Sequence, residues 1–185
     1  MEAVFRDAKG QAFTDMPGDF RGSMQDLLAL HLQNNFERSV FIAGLNAVMC
    51  YLGRASNTLH CKDKEPRVCA EQLPAFITNH FGRPKIAFVG YQPAMIETLS
   101  KSFTLRVIDL DKDNIGAHRF GLVIEGPEKT GEVLSWCDVI LATGSTCVNG
   151  TIVEFLDRKP VVFYGISAAG PVALHGYRRF CPCSR

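Results

Sequence analysis

The sequence lacks any run of the roughly 18 consecutive apolar residues that a membrane-spanning helix needs. Its longest uncharged stretch, Pro160 to Tyr177, is broken by Gly165, Gly170, Pro171 and Gly176. A charge excess is also missing. Twenty Lys plus Arg stand against nineteen Asp plus Glu, with both signs mixed along the chain, so neither nucleic acid nor a membrane surface is an expected partner. Glu2, Arg6 and Asp7 sit where a signal peptide would carry its apolar core, and a soluble, cytoplasmic protein is the expectation. No internal repeat, low-complexity segment, P-loop, H-E-x-x-H or Ser-His-Asp pattern is present, so no named chemistry follows from a motif. What is there is a chain of 185 residues, 46% hydrophobic and 21% charged, able to bury a core without disulfides or metal.

From Lys85 onward, short apolar runs alternate with helical stretches, which predicts an α/β fold with a mostly parallel, doubly wound sheet. Lys85 to Val89, Thr104 to Leu110, Phe120 to Ile124, Asp138 to Ala142 and Pro160 to Tyr164 read as strands. Pro93 to about Ser102, Glu128 to Trp136 and Val148 to Leu156 read as the helices between them. Residues 1–82 follow different rules and predict a small, mainly helical lobe, with residues 83–185 as the α/β domain. In that lobe Ala3 to Arg6 and Gln11 to Thr14 flank Ala8-Lys9-Gly10 as a hairpin. A helix from Ser23, capped through Asp26, should reach about Asn35. A second, apolar nearly all round, should span Arg38 to Leu52. A third, opening at Pro66, should kink or split at Pro74.

Ligands of an open α/β sheet sit beyond the carboxyl ends of its strands, so the loops there hold the candidate binding residues. Gly90-Tyr91-Gln92 is not a G-x-G-x-x-G turn, which disfavours ordinary NAD or FAD. Asp109, about twenty residues beyond Gly90, stands where an acid would bind a ribose hydroxyl, or is a solvated strand end. Thr143-Gly144-Ser145-Thr146-Cys147-Val148-Asn149-Gly150-Thr151 is the most informative segment. Its small hydroxyl residues lie where a strand gives way to a helix, so amide N–H groups and hydroxyls could receive a carboxylate or phosphate, and Ser145 or Thr146 could equally cap the helix. Asn46, a lone amide in an apolar helix, must bond to something if buried: another part of the fold, or a ligand.

Seven cysteines is an odd number, and in a reduced compartment thiols more often mean metal, catalysis or packing than disulfides. Cys50 and Cys137 read as core, and Cys147 adjoins the informative loop. His60, Cys61 and Cys69 bracket a polar turn, and Cys181-Pro182-Cys183 lies beyond the last predicted strand. If the chain folds back, these groups could hold a transition metal or an iron–sulfur cluster.

Gly44-Leu45-Asn46-Ala47 in a buried helix, Val89-Gly90-Tyr91-Gln92-Pro93 after a strand, and Ala142 to Thr151 together resemble the putative heavy-metal chelation domain family. The resemblance covers about Phe41 to Gly165. It implies a Rossmann-like domain, with helices on both faces of its sheet, preceded by a lobe like the N-terminal domain of enolase, and a site in the cleft between them.

The reading that follows is a binding protein for a small molecule or metal ligand. Asn46, Gly90, Tyr91, Gln92, Asp109, Thr143, Gly144, Ser145, Thr146, Asn149 and Thr151 would contact the organic or anionic part, and the thiols would supply soft ligands. A small-molecule transferase acting on a nucleoside-like or pterin-like substrate is the alternative, an accessory subunit without a site of its own is a third, and a homodimer is the candidate assembly.

Overall fold

The computed structural model describes Met1–Arg185. The chain opens with strands β1 (Glu2–Phe5) and β2 (Ala8–Gln11), followed by helices α1 (Met24–Leu28), α2 (Asn35–Tyr51) and α3 (Glu65–Phe81). Then come β3 (Lys85–Val89), α4 (Pro93–Ser100), β4 (Thr104–Ile108), the short β5 (His118–Arg119), β6 (Leu122–Glu125), α5 (Thr130–Trp136) and β7 (Val139–Thr143). One turn of helix, α6 (Thr146–Asn149), leads to β8 (Val161–Tyr164), α7 (Ala169–His175) and β9 (Arg178–Phe180).

The first hairpin pairs Glu2 with Gln11 and Phe5 with Ala8, so the turn is Arg6-Asp7, with Arg6 at φ 56°, two residues earlier than the sequence suggests. Gly10 is in the strand for a packing reason. A Cβ there would lie 2.3 Å from the Ala47 amide nitrogen, and its absence lets β2 lie directly on α2. The first helix has the expected capping box between Ser23 and Asp26 but ends at Leu28. Asn34 caps a new helix instead, its side chain accepting the Glu37 N–H at 2.9 Å. α3 runs through Pro74 as a single helix and is not split in two there. The α5 region starts with a 3-10 turn at Pro127–Lys129, and Phe120-Gly121 forms the tight turn of a β5–β6 hairpin, with φ of 52° and 78°.

The main sheet has seven strands in the order β5-β6-β4-β3-β7-β8-β9. β6, β4, β3 and β7 are parallel neighbours, and β5 is antiparallel to β6. From β6 to β8 this is the 3-2-1-4-5 order of a doubly wound sheet, reversing direction between β3 and β7. Ile86, Ala87, Phe88, Ile140, Leu141, Val162 and Phe163 are completely buried, as strands covered on both faces must be, and this is why they read as unbroken apolar runs.

By its internal contacts the chain divides into two compact units. One comprises Lys62–Ala142 and Phe155–Val162; the other comprises Met1–Cys61, Thr143–Glu154 and Phe163–Arg185. In the first, Arg106 on β4 forks onto Glu125 of β6 and reaches Glu132 of α5, its guanidinium 5.8 Å from the Trp136 ring centre. In the second, α2 is the central helix, packed against both hairpin strands, α6 and α7. No helix is long and apolar enough to cross a membrane.

Candidate functional site

Asn46 is fully buried on α2. Its Nδ2 donates to the Gln11 carbonyl at 2.8 Å and the Ile166 carbonyl at 3.1 Å, and its Oδ1 accepts the Gly170 N–H at 2.6 Å. A buried amide left unpaired costs about 1–3 kcal/mol per group, and here every strong bond is made within the protein. Asn46 therefore fastens β2, the turn after β8 and the start of α7 to one helix. Nearby, the buried Ser167 Oγ accepts the Phe13 N–H at 2.9 Å. Neither Ser167 nor Gly170 carried a signal in the sequence, because their partners lie over a hundred residues away.

The Thr143–Thr151 loop belongs to the same unit as Asn46. Gly144 donates to the Tyr164 carbonyl at 2.7 Å, and a Cβ at Gly144 would lie 2.6 Å from the Ala168 nitrogen. Glycine is thus needed where two backbones touch. Ser145 N–H donates to Thr143 Oγ1, and Thr146 Oγ1 donates to the Thr143 carbonyl at 2.8 Å. Cys147, Val148 and Asn149 donate their amides to Gly144 and Ser145, and Asn149 Oδ1 accepts both the N–H and the hydroxyl of Thr151. The helix expected over Val148 to Leu156 is one turn only, because Gly150 adopts the left-handed φ of 80° and stops it. Gly150 is therefore a helix stop and not a helix interior. The amides of Gly144, Ser145, Cys147, Val148, Asn149 and Thr151 are engaged within the protein, and with only one turn behind the loop a helix dipole adds little there. What the loop offers is side chains: Thr143, Ser145, Asn149 and Thr151 remain half-exposed, while Thr146 and Cys147 are buried.

Arg38 was not anticipated. From α2 its Nε donates to the Val148 carbonyl at 2.6 Å, with further bonds to the Leu32 carbonyl and Asn35 Oδ1 at 2.7 and 2.8 Å. Its only sequence signal is a charge at the mouth of an apolar helix.

Gly90, Tyr91, Gln92 and Asp109 lie in the other unit. Gly90, at φ 92°, donates to the Ile108 carbonyl at 2.8 Å. Asp109 accepts the Tyr91 N–H on one oxygen and the Asp111 N–H, at 2.7 Å, on the other. Gln92 caps α4 by accepting the Met95 N–H at 2.7 Å. These polar groups serve as clasps for the loops after β3 and β4.

The structure assembles no group of three or more His, Cys, Asp or Glu side chains able to hold a metal ion. The expected set of His60, Cys61, Cys69, Cys181 and Cys183 is thus not gathered, although part of the return it required does occur. Leu59 and Arg185 exchange two backbone hydrogen bonds, and Arg179 donates to the Ser56 and Asn57 carbonyls. Cys69 sits buried on α3, in the other unit. Burial pushes the Cys147 thiol up to about 12 and raises that of Cys137 as well, so both are poor thiolate donors near neutral pH.

Comparison with known proteins settles the relationship. Residues 75–175 match the model of a family described as putative heavy-metal chelation. The chain belongs to the DUF364 family. A DUF364 protein of unknown function from Pyrococcus horikoshii is 22% identical over 87% of this chain, with a TM-score of 0.58. Another, from Desulfitobacterium hafniense DCB-2, is 15% identical over 95% of this chain, with a TM-score of 0.60. The chain spans 64% of the length of the first and 71% of the second. At these identities the likeness is one of fold. No curated protein sequence matches the chain. The segment that matches the DUF364 model contains the whole Thr143–Thr151 loop, and His60, Cys61, Cys69, Cys181 and Cys183 all fall outside it.

Proposed function

We propose that the protein binds a small polar metabolite able to carry a metal ion, and that the Thr143–Thr151 loop is its contact surface. A metal held directly by protein thiolates needs several ligands at one point, and the described side chains do not form such a group. The residues present suit a different division of labour, in which the metabolite supplies the metal's ligands and the protein supplies hydrogen bonds to the metabolite. One observation carries this reading. Inside the family-matched segment, a loop is fixed from behind by Gly144 and by its own amides, yet keeps Ser145 and Asn149 half-exposed. A loop ordered before the ligand arrives loses little entropy on binding. The loop also stands at the carboxyl end of β7, next to the reversal of strand order, where doubly wound sheets hold ligands.

Native mass spectrometry of anaerobically isolated protein, paired with elemental analysis, tests this. The expected result is a bound small molecule with its metal, lost from the Ser145→Ala/Asn149→Ala double variant. Equal retention of the bound mass by the double variant would overturn the proposal.

A further inference from the structure

Two side chains of this loop keep donors with no partner in the protein. Asn149 uses its Oδ1 twice, for the Thr151 N–H and hydroxyl, which leaves the two Nδ2 hydrogens. Ser145 Oγ accepts from Thr143 Oγ1, which leaves its own O–H. Asn149 N–H donates to the Ser145 carbonyl, and residues four apart on a helical turn lie on one face, about 5–6 Å apart at Cβ. The remaining donors of Ser145 and Asn149 are therefore neighbours.

A cation stands beside them. Arg38 Nε is bonded to the Val148 carbonyl, one residue from Asn149, and the guanidinium carbon lies 3.7 Å from where a Cβ on Gly150 would be. All three Arg38 bonds go to neutral oxygens, and Arg38 takes part in none of the ion pairs. Of its five N–H groups two remain. A half-buried charge held rigidly by neutral acceptors has lost part of its hydration without gaining a counter-ion.

Spare donors on Ser145 and Asn149, next to a guanidinium with no counter-ion, favour a ligand rich in negatively charged oxygen. We infer that the ligand of the Thr143–Thr151 loop is an anion bearing a carboxylate or phosphate, and that Arg38 is the residue that reads its charge. This rests on the loop being the binding surface. A guanidinium suits both anions, and Arg38 has one N–H left on each of Nη1 and Nη2. Its three internal bonds hold the guanidinium in place before the ligand arrives.

The test is a titration followed in 1H–15N spectra at the Ser145 and Gly150 amides and the Asn149 side-chain amide. The probes are inorganic phosphate, malonate and neutral mannitol, with chloride at matched ionic strength as the control. Saturable shifts with phosphate or malonate are expected, and which of the two binds more tightly identifies the anionic group. Arg38→Lys keeps the charge but loses the guanidinium and should weaken binding about tenfold, in line with one charge-assisted bond. Arg38 also ties Leu32 to Val148, so a second variant is needed that leaves this clasp intact. Asn149→Asp places a like charge at the site and should abolish the anion response at Ser145 and Gly150. Unchanged affinity in both variants, or saturation by mannitol alone, would overturn the charge assignment while keeping the loop as a binding surface. Silence at the loop with every probe would overturn both.

Discussion

Asn46 and Gly170 are joined by a 2.6 Å hydrogen bond across 124 residues of sequence. Gly170 can approach because it has no side chain: a Cβ there would lie 2.8 Å from Asn46 Oδ1 and 3.0 Å from Leu45 Cγ. Together with the bonds to Gln11 and Ile166, this contact makes α2 the frame on which the rest of its unit is hung.

Replacing Asn46 by Ala would strand two carbonyls and one N–H with no new partner. At about 1–3 kcal/mol for each buried group left unsatisfied, the variant should lose roughly 3 kcal/mol or more. Urea unfolding should show a lower midpoint with an unchanged slope. A midpoint within error of the parent would mean that water or a shifted backbone replaces the lost bonds.

Glycine positions should separate by cause. Gly144→Ala and Gly170→Ala put a Cβ within 2.6 Å of Ala168 N and 2.8 Å of Asn46 Oδ1 respectively, overpacking that typically costs about 1–3 kcal/mol. Gly150→Ala meets nothing closer than Arg38 at 3.7 Å and should lose only about 1–2 kcal/mol, for the left-handed backbone. Thermal unfolding should rank Gly144 and Gly170 as the more sensitive pair, and the reverse order would contradict the packing described.

Cys147 gives a pH signature. Its thiol is pushed up from 9.0 to about 12 by burial, so between those values the unfolded chain releases a proton that the folded chain retains. Stability must then fall as pH rises across that window, by up to about 1.4 kcal/mol per pH unit. Cys147→Ala should have a flatter stability profile above pH 9 than the parent, and native Cys147 should resist thiol reagents that label it after unfolding. Identical alkaline slopes in the two proteins would count against the burial.

The parallel strands were legible because a strand buried on both faces, such as Lys85–Val89 or Val139–Thr143, has no polar alternation to disguise it. The capping box at Ser23 was legible for a local reason, since both partners lie within three residues. What misled was residues whose roles are set from afar. Gly10 looked like a turn residue and is a contact with Ala47, and Gly150 looked like a helix interior and is a left-handed stop. At the site, the loop could be found from its composition, whereas Arg38 could not, because it meets Val148 across 110 residues. The sequence placed Asn46 as a buried amide needing partners, but those partners exist only in the folded chain.

The central claim is that a metal reaches this protein inside a small polar ligand held by the Thr143–Thr151 loop. The measurement that tests it most directly compares Zn2+ alone with Zn2+–citrate as titrants of metal-free, isotope-labelled protein under anaerobic conditions, read residue by residue in 1H–15N spectra. The account predicts saturable shifts at Ser145, Asn149 and Thr151 with the citrate complex, and no stoichiometric binding of Zn2+ alone. Tight one-to-one binding of Zn2+ alone, with shifts centred on Cys61, Cys181 and Cys183 and a silent loop, would contradict it.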